Sequence, residues 1–215
     1  MKKIILLSVF LFTTLVVSAQ KGSWYIGGVV GYSSSTSKSP DDFKTTTSDW
    51  AFAPEAGTFL ADDIQLGIFL GISGGSEKND DEDLYKYSSV SPTLYARKFF
   101  KITDEFSTFA GAYVNISSVS FTDYSGGATE TFDGSGFGVR LGIGVAYALS
   151  PRFTAVGQYG LFGFQTTSNK LNGDDAGSDS SFDFGVNTVG SGVLNQGNGS
   201  GAVFNIGIYY TFKQP

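Results

Sequence analysis

The feature that most constrains this chain is an alternation of large apolar residues with small or polar ones at a period of two. It is clearest at residues 64–73, where the even positions are all large aliphatic residues and the odd positions are Gln, Gly, Phe, Gly and Ser. A β-strand places successive side chains on opposite faces, so this segment has one apolar and one small or polar face. Its length matches the ~9 to 11 residues with which a tilted strand crosses a membrane.

The same alternation recurs along the chain. It is strong at residues 137–147 and 204–212 and weaker at five further segments, which are residues 23–33, 50–60, 87–100, 105–117 and 153–165. Single-chain bacterial barrels have an even number of strands, and eight segments satisfy that rule. The sequence therefore predicts an all-β fold, a membrane-spanning antiparallel up-and-down β-barrel of about eight strands. The residues expected to face lipid are Ile64, Leu66, Ile68, Leu70, Ile72, Val139, Leu141, Ile143, Val145, Ile206, Ile208, Tyr210 and Phe212.

The connections alternate between short and long. Residues 60–63, 101–104 and 149–152 have the composition of tight turns, and the polar stretches between them, expected to be loops, are residues 34–49, 74–86, 118–135 and 166–199. Short periplasmic turns and longer extracellular loops are typical of transmembrane barrels. Within the last stretch, the sequence leaves open whether residues 182–194 form an added strand.

The amino terminus has the organisation of a secretory signal. Met1, Lys2 and Lys3 precede an apolar run over Ile4–Val17, and the small pair Ser18-Ala19 follows it. A charged start, a short apolar run and a small-residue exit are typical of a cleaved signal peptide. We predict cleavage after Ala19, which divides the chain into a signal peptide over residues 1–19 and a barrel domain over residues 20–215. The mature protein is expected in the cell outer membrane of a Gram-negative bacterium.

The composition argues against several functions. The formal net charge is −6 with the signal and −8 without Lys2 and Lys3, which disfavours nucleic-acid binding. The chain has no His, the usual general base and a frequent metal ligand, so we expect no enzymatic activity, no catalytic residues, no cofactor and no metal site. The acidic runs at residues 80–83 and 174–179 lack the spacing of a calcium loop and are interpreted as solvated loop acids.

Three phrases carry a resemblance to a known family. They are residues 54–60 (PEAGTFL), residues 92–100 (PTLYARKFF) and a Gly-x-Tyr-Tyr-x-Phe ending at Phe212. The chain resembles the small outer-membrane β-barrel proteins called the porin family, with the OmpA transmembrane domain and OmpX as relatives. The resemblance implies outer-membrane lipid and lipopolysaccharide as surroundings. It also implies recognition of the carboxyl-terminal aromatic strand by the outer-membrane assembly machinery.

Three charged residues fall on the small-residue faces of their strands and should point into the barrel. They are Glu55, Arg97 and Arg140. A buried charge is costly unless it is paired, so Glu55 is expected to pair with Arg97 or Arg140, with Gln65 and Gln158 completing a polar network. The network is either an ion path or a structural plug, and an eight-stranded interior just wide enough for side chains favours the plug.

Three functions remain open. The leading one is a non-enzymatic integral barrel that contributes to envelope structure or to surface contact through its extracellular loops. The second is a narrow pore or carrier for small or apolar solutes, which requires a continuous path past the interior charges. The third is an accessory subunit of an outer-membrane secretion or assembly complex, whose mark is a copurifying protein partner.

Overall fold

The fold consists of nine antiparallel β-strands over the residues that the structure describes. The computed structural model describes residues 22–38, 43–80, 82–125, 128–184 and 205–212. The strands are β1 Trp24–Lys38, β2 Lys44–Ala61, β3 Ile64–Asn79, β4 Glu82–Lys101, β5 Phe106–Asp123, β6 Glu130–Ala148, β7 Phe153–Leu171, β8 Asp174–Phe184 and β9 Asn205–Phe212. No helix within these ranges is long and apolar enough to cross a membrane.

Eight of the strands close a ring. Each of β1 to β6 pairs with the next strand in sequence, and β9 joins β7 to β1. Strand β7 has two partners on one edge, because Phe153–Gln158 pair with β9 and Phe162–Leu171 pair with β8. The prediction of an antiparallel up-and-down barrel of about eight strands is therefore confirmed, with β8 as an addition to it.

The two faces of the wall follow the alternation in the sequence. In β4, Leu94 and Ala96 are exposed on the outside, whereas Tyr95 and Arg97 are each 1% exposed on the inside. All members of the predicted lipid-facing set lie on the outer side of the wall, either exposed or partly exposed. The core of the molecule is therefore the barrel interior.

The strands extend further than the alternation indicated. β1 continues to Lys38 and β2 begins at Lys44, so most of the predicted loop at residues 34–49 is paired β-structure. The stretches 74–86 and 118–135 are likewise mostly hairpin. The loop prediction was wrong for these residues because their outward faces carry mostly Ser, Thr, Gly and charged residues, although Tyr85, Phe121 and Phe132 pack together on the other face. The hydrophobic periodicity is therefore weak, even though such segments can pair in a sheet.

The segment at residues 166–199 differs most from its predicted loop. β7 runs on to Leu171, and Asn172 and Gly173, with φ of 51° and 92°, form the two-residue turn into β8. Two successive positive φ values are the signature of the turn that joins tight hairpins. Phe182 and Phe184 belong to β8, whereas residues 185–194 lie outside the described residues, as do the predicted signal peptide and its cleavage point.

Candidate functional site

A buried arginine lies at the centre of the barrel interior. Arg97 in β4 alternates with the outward Ala96 and Lys98, so its side chain points inward and is 1% exposed. The guanidinium donates to five side chains from five other strands. They are Glu55 Oε1 (2.9 Å), Gln65 Oε1 (3.1 Å), Tyr113 Oη (3.0 Å), Gln158 Oε1 (3.2 Å) and Tyr209 Oη (3.3 Å).

The Glu55 carboxylate is the anion of this cluster. Its Oε1 accepts from Arg97 and from the hydroxyl of Tyr95, and its Oε2 accepts from the hydroxyl of Tyr209 at 2.7 Å. The Tyr95 hydroxyl also contacts that of Tyr25. The side chains of Arg97 and Glu55 are 1% and 6% exposed, so the charge pair is removed from solvent. Both charges have hydrogen-bond partners, as a buried pair requires.

Aromatic rings surround the charge pair. The Arg97 guanidinium carbon lies 4.1 Å from the ring centre of Tyr95 and 5.2 Å from that of Phe109, within the range of cation–π attraction. Next to them Phe99 packs against Phe109 at 5.2 Å and against Phe59 at 5.9 Å between ring centres. We call these residues together the plug. Its members are Tyr25, Glu55, Phe59, Gln65, Tyr95, Arg97, Phe99, Phe109, Tyr113, Gln158 and Tyr209.

The sequence-predicted polar residues are placed as follows. The structure brings Glu55, Gln65 and Gln158 into direct contact with Arg97, and Arg97 is the ion-pair partner of Glu55. Gln65 is 2% exposed. Arg140 is half-buried on β6, and its guanidinium carbon lies 4.8 Å from the ring centre of Tyr113. Arg140 therefore adjoins the plug across the Tyr113 ring.

The tyrosines of the plug were not assigned to it by sequence reasoning. Tyr25 and Tyr209 lie near strand ends, where membrane-interface aromatics are expected, yet they are 1% and 5% exposed and face inward. The alternation of side chains along β1 could have placed Tyr25 on the inner face, because it stands between two outward residues, Trp24 and Ile26. The same alternation places Tyr209 on the inner face, because its neighbour Tyr210 packs against Phe153 on the outer face.

The acidic residues form no comparable centre. Among the residues that the structure describes, no group of three or more Asp, Glu, His or Cys side chains is arranged to hold a metal ion. Asp83 instead lies 2.6 Å from the ammonium of Lys86 and 3.6 Å from that of Lys78. Among the ion pairs of the described residues, the Arg97–Glu55 pair of the plug is the buried one, and the chemistry of the plug is ion pairing and hydrogen bonding.

Several solved structures are similar to the chain over most of its length. Neisserial surface protein A matches over 88% of this chain and 97% of its own, with 14% identity and a TM-score of 0.43. OprG from Pseudomonas aeruginosa matches over 90% and 97%, with 17% identity and a TM-score of 0.48. A major outer membrane protein from Thermus thermophilus matches over 90% and 100%, with 18% identity and a TM-score of 0.38.

The family is established by sequence. No curated protein is significantly similar to the chain. The family model described as the outer membrane protein beta-barrel domain, however, matches residues 4–212. That family places the protein in the outer membrane. With a closed ring of strands, a lipid-compatible exterior and a match over nearly the whole sequence, the chain belongs to the outer membrane protein beta-barrel domain family.

Proposed function

We propose that this protein is a non-enzymatic, non-conducting barrel that serves the envelope as a closed scaffold and presents four β-hairpins at the cell surface. The observation that carries the proposal is the plug, in which Arg97 binds side chains from five other strands. A path for ions would have to pass between these contacts.

The geometry of the plug supports a closed interior. Arg97, Tyr25, Tyr95 and Phe109 are the largest fully buried side chains among the described residues. They are joined by direct contacts, since Arg97 lies over the rings of Tyr95 and Phe109 and the Tyr95 hydroxyl contacts that of Tyr25. An eight-stranded barrel has an interior just wide enough to be filled by side chains, and the plug fills it with polar partners for its charges and rings around them.

The hairpins support a role at the surface. β1–β2, β3–β4, β5–β6 and β7–β8 all continue beyond the apolar part of the wall as paired strands. Paired strands hold a defined shape, whereas open loops of this length would be mobile. Function on a rigid barrel is therefore expected at these exposed hairpins.

The test is single-channel recording in planar bilayers with the mature protein. We expect the wild-type protein to show no discrete openings, and Arg97→Ala to admit ions because it removes the side chain that joins the strands across the interior. Lys98→Ala is the matched control. Lys98 faces outward next to Arg97, so this variant should show no channel openings.

Two readouts accompany the recordings. Compact migration of the unheated protein on a gel shows that each variant is folded. Discrete wild-type openings whose size changes in Arg97→Ala would overturn the proposal and would instead support a narrow pore. Copurification of a stoichiometric protein partner from outer membranes would support the accessory-subunit function.

A further inference from the structure

The inner face of the hairpins carries a row of aromatic rings above the plug. Tyr85 on β4 stacks on Phe121 of β5 at 5.3 Å between ring centres, and Phe121 contacts Phe132 of β6 at 6.1 Å. Phe121 is also the register partner of Tyr87. Although Phe132 shares the inner face of β6 with Arg140, it is 39% exposed, so the row can be reached from the lumen. We call Tyr85, Tyr87, Phe121 and Phe132 the aromatic belt.

Two carboxylates are held against the tyrosines of the belt. Asp49 on β2 accepts a hydrogen bond from the Tyr87 hydroxyl at 2.8 Å, and Glu77 on β3 accepts one from the Tyr85 hydroxyl at 3.1 Å. Gly75 permits the first contact, because a Cβ at that position would lie 2.6 Å from the Tyr87 ring and 2.5 Å from the Asp49 carboxylate. The tyrosine donors are neutral, so each carboxylate keeps its negative charge.

Two further carboxylates face each other beside the phenylalanines of the belt. Asp123 on β5 and Glu130 on β6 are register partners, and each lies two residues from a belt phenylalanine on the same face of its strand. Like charges directly opposite each other in a sheet are destabilising. Hydrogen bonds from the Ser125 hydroxyl and N–H lower the pKa of Asp123, which keeps this carboxylate ionised at neutral pH. We call Asp49, Glu77, Asp123 and Glu130 the belt carboxylates.

The described residues supply no cation to this inner face. None of the ion pairs among them includes a belt carboxylate. Lys78 and Lys86 lie on the outer face, where Asp83 pairs with both. On the inner face of β6, Arg140 is eight residues from Phe132. The mouth of the barrel therefore combines exposed rings with unneutralised carboxylates, and this combination suits an organic cation.

We propose that the aromatic belt and the belt carboxylates bind an aliphatic polyamine in the mouth of the barrel. Ammonium groups contact the carboxylates and the ring faces, and the alkyl segments between them pack on the rings. The lumen of an eight-stranded barrel is just wide enough for side chains, so a slender unbranched chain fits where a folded partner does not. A peptide would bring backbone polar groups that find no partners on the rings. The inference deepens the proposed role of the hairpins and rests on it.

The experiment is calorimetric titration of spermidine into the detergent-solubilised mature protein. The test variant is Glu77→Gln/Asp123→Asn, for which we expect the affinity to fall about fivefold, because two accessible charge pairs are lost. The matched control is Asp133→Asn/Asp175→Asn, which neutralises two carboxylates in register with the outward Lys170 and should bind as the wild type does. Compact migration of the unheated protein on a gel shows that each variant is folded.

A second variant separates recognition by the rings from attraction by charge alone. Phe121→Leu/Phe132→Leu keeps the carboxylates and an apolar surface, and we expect its affinity for spermidine to fall about threefold because cation–π contacts are lost. Wild-type binding should persist when magnesium chloride replaces sodium chloride at equal ionic strength. Its loss under that exchange would identify a metal-ion site in place of a polyamine site.

The proposal is overturned if the wild type does not bind spermidine, if Glu77→Gln/Asp123→Asn retains wild-type affinity, or if the outer-face control loses as much. Unchanged affinity of the phenylalanine variant would equally refute recognition by the belt. Calorimetry in detergent needs no bilayer current, so failure here leaves the closed-barrel proposal intact. Channel openings of the wild type would refute that proposal without affecting this one.

Discussion

A single side chain, that of Arg97, connects six strands of the barrel through the interior. Its partners lie on β2, β3, β5, β7 and β9, and each accepts a hydrogen bond from the guanidinium. Lysine could not replace it, because an ammonium group has three donors at one point whereas a guanidinium presents five in a plane. The identity of this residue therefore matters to stability as well as to closure.

Replacing Arg97 by methionine keeps most of the volume and removes the charge. The Glu55 carboxylate would then be buried without its cation, so we expect the free energy of unfolding to fall by about 3 to 5 kcal/mol. The measurement is reversible urea unfolding in lipid vesicles, followed by tryptophan fluorescence. The double variant Glu55→Gln/Arg97→Met should recover part of the loss, because the orphaned charge is gone.

Lys98→Met is the control for this substitution. The Lys98 side chain is 47% exposed and pairs with Asp63, and exposed pairs of this kind contribute ~0 to 1 kcal/mol. If Arg97→Met were no more destabilising than Lys98→Met, the plug would be shown to contribute little to stability.

The limits of sequence reasoning at the residue scale are visible in Tyr25 and Tyr209. The charges of the plug could be inferred, because Glu55 and Arg97 each occupy a small-residue face of a strand. The tyrosines could not be assigned to the same cluster. Which side chains meet across a barrel depends on the register of all the pairings, and Tyr209 meets Glu55 across 154 residues of sequence.

At the scale of secondary-structure elements, the turn of the β7–β8 hairpin can be predicted from the sequence, whereas the strands on either side of it cannot. Asn-Gly at residues 172–173, between two pairable segments, is a recognised signal for a two-residue turn. The flanking strands were hidden because their residues are polar on both faces. A strand that packs against lipid or a core has alternating hydrophobic residues in its sequence, whereas a strand that only pairs with another strand in solvent need not.

Gly173→Ala tests the turn directly. A φ of 92° is strained for any residue with a Cβ, so we expect the hairpin to lose about 1 kcal/mol of local stability. Amide hydrogen exchange of residues 166–180 should accelerate roughly fivefold, while exchange in the membrane-spanning parts of β3 and β4 stays unchanged. Asn172→Gly is the control, because glycine tolerates positive φ at that position. Equal exchange rates in the two variants would contradict the assignment of this turn.

At the scale of the whole molecule, the two ends of the barrel differ in length and predict its orientation. The turns at residues 62–63 and 149–152 are short, whereas the other end carries the four hairpins. We expect Ser37→Cys to react with a membrane-impermeant maleimide on intact cells and Ile102→Cys to react only after the outer membrane is permeabilised.

The natural chain suits this labelling experiment. It contains no cysteine, so each variant has a single reactive thiol. Ser37 and Ile102 are both exposed in the structure, so a difference in labelling reports membrane protection rather than burial. Labelling of Ile102→Cys but not Ser37→Cys on intact cells would show that the barrel has the reverse orientation.

The position of Tyr209 on the closing strand has a consequence for how the protein is made. β9 meets β1 over only five residue pairs, and it carries the hydroxyl that completes the hydrogen bonding of Glu55. Without β9 the interior lacks this donor and the ring has an open seam between β7 and β1. A chain that lacked β9 would therefore have two defects at once, an unpaired strand edge open to association with other chains and a buried carboxylate short of one hydrogen bond.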